Sequence, residues 1–105
     1  LINGGSGSAS EITAAALKDL RDAIVVGTKS AGAVLVSTMT PVGSGWLLQF
    51  PLSDYITKAG VRIEGNGIVP DVQAPLVKFG DPDTAIDKAL ALFRRAELRE
   101  QRSGG

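Results

Sequence analysis

The sequence predicts an α/β domain: a βαβ unit, then a β-hairpin, then a C-terminal helix. Three observations carry this. Glycines and small hydroxyl residues from Gly4 to Ser10 run straight into a helical stretch that opens near Ala9. The run Ala23-Ile24-Val25-Val26-Gly27 is continuously apolar and β-branched, the pattern of a strand buried on both faces of a parallel sheet. Two strand-like segments, 34–39 and 46–52, flank a turn cluster at Pro41-Val42-Gly43-Ser44-Gly45. Strand, turn, helix and buried strand in that order are the βαβ pattern.

Leu1-Ile2-Asn3 reads as the end of a buried strand that begins earlier than this chain does. The helix spans about Ala9 to Leu20, with Ile12, Ala15, Ala16 and Leu20 at helical spacing and Lys18, Asp19, Arg21 and Asp22 at its polar end. Gly27 to Gly32 is a loop. Asp54-Tyr55-Ile56-Thr57 is a short extended piece ended by the turn Lys58-Ala59-Gly60, and Val61 to Glu64 alternates. Gly65-Asn66-Gly67 calls for positive φ, and Val69 is held extended by Pro70. The last helix is expected to start with Asp81 as N-cap and Pro82 at the first helical position. Ser103-Gly104-Gly105 reads as an appended tail. Trp46 and Phe50 share one strand face and are expected to pack in a core or against another domain. Asp71 is expected to cap or anchor a turn, and Lys29 to be a solvated loop lysine.

At 105 residues, 44% of them hydrophobic, the chain is one domain or part of one, with room for a single modest core. Eleven basic and eleven acidic residues give no net charge, so no basic stripe points to nucleic acid and none to an anionic membrane. Without cysteine there is no disulfide framework or thiolate metal site, and without histidine the commonest general base is absent. No signal peptide or membrane-length apolar run is present. No cofactor and no metal are expected.

Ser8-Ala9-Ser10-Glu11 has two readings. As a capping box, the Ser8 hydroxyl caps the amide of residue 11 and Glu11 reaches back to the cap. As a reactive site, a serine at a helix N-terminus lies where unpaired N–H groups and the positive end of the dipole stabilise an oxyanion. The two are compatible.

Three segments, in order, resemble the S41 family of C-terminal processing (tail-specific) serine peptidases. They are Asn3-Gly4-Gly5-Ser6-Gly7-Ser8-Ala9-Ser10-Glu11-Ile12, Ala23-Ile24-Val25-Val26-Gly27-Thr28-Lys29, and Gly65-Asn66-Gly67-Ile68-Val69-Pro70-Asp71-Val72. The resemblance covers residues 1 to about 76. It implies a ClpP/crotonase-like α/β fold, with residues 1–105 as the C-terminal part of a catalytic domain whose N-terminal part lies elsewhere. It implies Ser8 as nucleophile, with Ser6 and Ser10 as weaker candidates, and the Ala9 N–H as one oxyanion donor; the second comes from a Gly loop outside this chain.

The processing branch carries its lysine in T-F-G-K-G. The matching stretch, Ser30-Ala31-Gly32-Ala33-Val34, has Ala33 at the lysine position, and Lys29 is not assigned as its substitute. Either the lysine has been substituted and activity lost, or the T/S-A-G-A form marks a likeness to the tricorn-core and retinoid-binding-protein-like branch. There the base is a histidine far upstream, and a glutamate matching Glu64 orients the site. The functional expectation is a serine endopeptidase acting on polypeptide through an acyl-enzyme at Ser8, inactive as this chain alone. The alternatives are a non-catalytic module that binds peptide or a hydrophobic ligand, and an assembly module that pairs with the missing part or with itself as a homo-oligomer. A periplasmic, secreted or cell-envelope location follows from the resemblance alone.

Overall fold

A computed structural model describes residues 1–78 and 80–103; Gly104 and Gly105 of the expected tail lie outside them. The elements are α1 (Ala9–Arg21), β1 (Val26–Gly27), β2 (Val36–Gly43), β3 (Trp46–Ser53), β4 (Val72–Gln73) and α2 (Thr84–Ser103). β1 is the centre of a small parallel arrangement. On one side Ile2 bridges Gly27, with Ile2 N–H donating to the Val26 carbonyl at 3.0 Å and Thr28 N–H to the Ile2 carbonyl at 3.1 Å. On the other side β4 pairs in parallel, Val26 opposite Val72 and Gly27 opposite Gln73. α1 is the crossover between Ile2 and β1, as the βαβ pattern predicts.

The core is Ile2, Ala15, Val25, Val34, Ile63 and Ile68, with Ile12, Ala14 and Tyr55 packed at its margin. The expected two-sided burial of 23–27 holds for Val25 and Val26 but not for Ile24, which is 58% exposed. β1 and the Ile2 segment approach closely: a Cβ on Gly27, whose φ is +136°, would lie 1.9 Å from the Ile2 carbonyl oxygen.

The hairpin is present with its antiparallel register running from Val36 opposite Ser53 to Gly43 opposite Trp46. Ser44 and Gly45 both have positive φ (49° and 78°), the requirement of a two-residue turn whose twist suits the strands. β2 starts at Val36 rather than Val34 because the amides of Val34 and Leu35 donate instead to the Glu64 carboxylate. The expected packing of Trp46 and Phe50 into this chain's core is not found. Every residue of β3 is exposed, because the two-stranded ribbon projects with no layer against either face.

The second helix begins two residues later than the Asp81–Pro82 reading. Asp83 is the cap: its Oδ1 accepts from Ala85 N–H at 2.9 Å and Ile86 N–H at 3.2 Å. Ala89, Leu92, Phe93 and Ala96 line one groove with Ala23, Ile24 and Val26. Lys88 adds a bond from its ammonium to the Gln73 carbonyl. No helix among the described residues is long and apolar enough to cross a membrane.

Candidate active site

Ser8 is the N-cap of α1, and its backbone is the most unusual near the site: φ 52°, ψ −125°, in a non-glycine residue. Such a conformation costs about 1–3 kcal/mol and persists where its surroundings over-determine it. They do so here. Ser8 N–H donates to the Ala33 carbonyl at 2.7 Å, and the Ser8 carbonyl accepts from Glu11 N–H at 3.0 Å and Ile12 N–H at 3.1 Å. The Ser8 half of the capping-box reading is thereby corrected. The Ser8 hydroxyl makes no cap hydrogen bond, because this backbone turns it away from the first-turn amides. It is exposed and accepts or donates nothing among the described residues.

The amides around it are largely spoken for: Ser10 N–H donates to Gly7 and Glu11 N–H to Ser8. Ala9 N–H has no acceptor among the described residues, and it is the first amide of a thirteen-residue helix. Of the weaker candidates, Ser6 is absorbed in its turn, where its hydroxyl accepts from Asn3 N–H at 3.0 Å and its carbonyl from Ala31 N–H at 2.9 Å. Ser10 is exposed one turn position further on.

The expected reach of Glu11 back to the cap holds only in part: the Ser8 amide helps to hold its carboxyl low, but its close partners lie elsewhere and Ser8 N–H itself donates to the Ala33 carbonyl. Glu11 is fully buried, and its carboxylate turns across to the segment 30–33. Oε1 accepts from the Ser30 hydroxyl at 2.5 Å and from Gly32 N–H at 2.7 Å; Oε2 accepts from Ala33 N–H at 2.9 Å. Burial pushes this carboxyl up, but the Ser30 hydroxyl and the Ala33, Gly32 and Ser8 amides together outweigh it and hold the group below its ordinary value. Neither Glu11 nor Ser30 stood out as a site residue in the sequence. The available signal was spacing: Glu11 lies four residues before Ala15, on the buried stripe of α1 where an acid needs partners.

Glu64 is half-buried at the far side of the same segment. Its Oε2 accepts from Val34 N–H at 2.7 Å and Leu35 N–H at 3.1 Å, while Oε1 accepts nothing among the described residues. Segment 30–35 is thus a strap clamped by two carboxylates, Glu11 from α1 and Glu64 from the turn 63–68. Gly65 N–H donates to the Gly32 carbonyl and Ser30 N–H to the Ile68 carbonyl. The contact is close enough that a Cβ on Gly32 would stand 2.7 Å from Gly67 N, and one on Gly67 2.6 Å from the Ser30 carbonyl oxygen. Ala33 is exposed and adjoins Ser8 through the backbone bond already described; Lys29 is exposed. Asp71 anchors no local turn but ties its segment to α1 and to the residue before β1: it accepts from Lys18 Nζ at 2.5 Å and Val25 N–H at 2.9 Å, and the Lys18 ammonium holds its carboxyl low. Among the described residues, no group of three or more His, Cys, Asp or Glu side chains is placed to hold a metal ion.

A strained, exposed serine beside an unpaired helix-start amide, on a mixed helix-and-strand frame, is an arrangement of serine hydrolases. The family model for peptidase family S41 matches residues 1–74, and the chain belongs to that family. It is 49% identical over 72 residues to a carboxy-terminal-processing protease of Bartonella bacilliformis, a match covering 69% of this chain and 17% of the relative. It is 38% identical over 79 residues to a probable CtpA-like serine protease of Staphylococcus epidermidis, covering 75% of this chain and 16% of that one. A solved photosystem II D1 C-terminal processing protease superposes with a TM-score of 0.62 at 37% identity, over 70% of this chain and 19% of its own. The chain therefore spans about a sixth of the length of the sequence relatives it matches.

Proposed function

We propose that Ser8 is the nucleophile of a serine peptidase that cleaves polypeptide, and that these residues form the nucleophile-bearing part of its catalytic domain. The observation that carries this reading is the Ser8 backbone, held at φ 52° with its hydroxyl unengaged, and the adjacent Ala9 N–H unpaired, among the described residues. Ser8 Oγ attacks the scissile carbonyl carbon as a base takes its proton. The oxyanion that forms accepts from Ala9 N–H at the positive end of α1. The base returns the proton to the leaving amine, the C–N bond breaks, and an ester remains on Ser8 until water hydrolyses it.

A serine hydroxyl needs an adjacent base. Ala33 is an alanine and the chain has no histidine, and we assign the base to a group outside these 105 residues. Glu64 keeps Oε1 available, and we assign it to orienting that base. Processing near polypeptide C-termini accords with the names of the relatives, and we take a ClpP/crotonase-like fold as the frame that completes the domain. The test is cleavage of an unstructured polypeptide by the complete protein and by this chain alone. The expected result is cleavage by the complete protein, abolished by Ser8→Ala, and none by the chain alone. Cleavage that survives Ser8→Ala refutes the assignment.

A second reading, peptide or hydrophobic-ligand binding without hydrolysis, is favoured by Ala33 itself and by a groove of about 480 Å³ between α1 and residues 23–25. Binding of the same polypeptide without cleavage by the complete protein is its signature.

A further inference from the structure

The proposed chemistry leaves a buried charge without a task. Glu11 is fully buried, is not at the surface of the site, and touches neither the Ser8 hydroxyl nor the Ala9 amide. We infer that Glu11, acting through Ser30 and the strap 30–35, is the positioning residue that fixes the Ser8 backbone; its importance for catalysis rests on the nucleophile reading above.

The connection is continuous. Glu11 Oε2 accepts from the Ala33 N–H, and the Ala33 carbonyl accepts from Ser8 N–H. Both peptide planes that flank Ala33 are therefore fixed, one by Glu11 and one against Ser8. Oε1 secures Gly32 N–H and the Ser30 hydroxyl, so the strap cannot rotate about Ala33 alone. The Ser30 hydroxyl then accepts from Ile68 N–H at 2.6 Å, which ties the strap to the turn behind it. Close backbone approach at Gly32 and Gly67 leaves no slack.

This arrangement needs an ionised carboxylate. Three donors of the strap converge on Glu11, and a carboxylate is the side chain that accepts at every position. A glutamine would point an NH₂ group at a donor on one side. The result is that Ser8 N–H is withdrawn from the site and Ala9 N–H is left as its amide donor. A purely structural acid would hold α1 to the strap without singling out Ser8.

The experiment is carried out on the complete protein with Glu11→Gln, Ser30→Ala and Ser30→Thr. Two readouts are taken: hydrogen exchange at the Ser8 amide, and the rate of fluorophosphonate labelling of Ser8. Glu11→Gln and Ser30→Ala are expected to speed Ser8 exchange by about tenfold while the middle of α1 and β1 stay unchanged. Labelling slows by about tenfold or more as the nucleophile loses its placement. Ser30→Thr, which keeps the hydroxyl, restores both. Unchanged exchange at Ser8, or a uniform rise through α1 and β1, overturns the inference. If Glu11→Gln does not fold, the Ser30 pair carries the test. If wild-type protein shows no labelling at Ser8, the nucleophile reading fails, and the exchange measurement still decides whether Glu11 positions that backbone.

Discussion

At the scale of single residues, the site is a contest between strain and hydrogen bonding. Ser8 holds a conformation that suits glycine, and three backbone bonds keep it there. Ser8→Gly is therefore expected to raise stability by about 1 kcal/mol, whereas Ser8→Ala keeps the strain and leaves stability nearly unchanged. Denaturant unfolding of the two variants checks this; equal midpoints would mean that no strain is stored. Gly32→Ala and Gly67→Ala force a Cβ into backbone at 2.7 and 2.6 Å with φ of +73° and +66°. Each should cost roughly 2 kcal/mol or more in the same measurement.

Glu11 adds a pH dependence whose sign is fixed. Its folded carboxyl lies below its unfolded value, so the unfolded chain binds more protons in acid. The stabilisation is complete above the unfolded value of about 4.3 and fades as pH falls through the lower, folded one. Asp71 contributes with the same sign. Unfolding midpoints followed from about pH 5 to pH 2 should fall, and Glu11→Gln should flatten that fall. An unaltered slope in the variant would contradict the buried-carboxylate account. In the sequence, Ser8 and the glycines were legible because turns and helix starts have local signatures. The Glu11–Ser30 bond was not, because its partners lie 19 residues apart and only the fold brings them together.

At the scale of elements, what was legible is again what is local. α1, the hairpin, its turn and the positive φ of Gly65 and Gly67 follow from spacing and from turn residues. The start of β2 was not, since its first expected residues give their amides to Glu64, a choice no strand propensity encodes. The start of α2 was placed two residues early, at Asp81, because the local cap pattern does not show that it is Asp83 whose carboxylate meets the first free amides. The hairpin is the element with most left to satisfy. Residues 36–53 carry no charge and all of β3 is exposed, while an isolated two-stranded ribbon is marginal in water. Trp46, 73% exposed, should therefore emit like a solvated indole in this chain alone and shift to the blue in the complete protein. An identical spectrum in both would mean that nothing covers this ribbon.

At the scale of the whole molecule, the Cα radius of gyration is 18.3 Å and the principal extents are 70 × 36 × 18 Å. A compact domain of about 100 residues has a radius near 13 Å. The excess comes from the projecting hairpin and from α2, none of whose residues is buried. Such a shape accords with a chain that spans about a sixth of its relatives' length. Membership of the S41 family was legible because three separated motifs occur in the family's order, and the family model matches residues 1–74. The base of the proposed mechanism was not legible, because the chain has no histidine and Ala33 offers no titratable side chain.

The central claim is that Ser8 is a nucleophile whose base lies outside this chain. The most direct measurement is fluorophosphonate labelling of the complete protein and of this chain alone, with the adduct mapped by mass spectrometry and Ser8→Ala as control. The account predicts an adduct on Ser8 in the complete protein and none on the isolated chain. No adduct in either, or one on any other serine that survives Ser8→Ala, would contradict it.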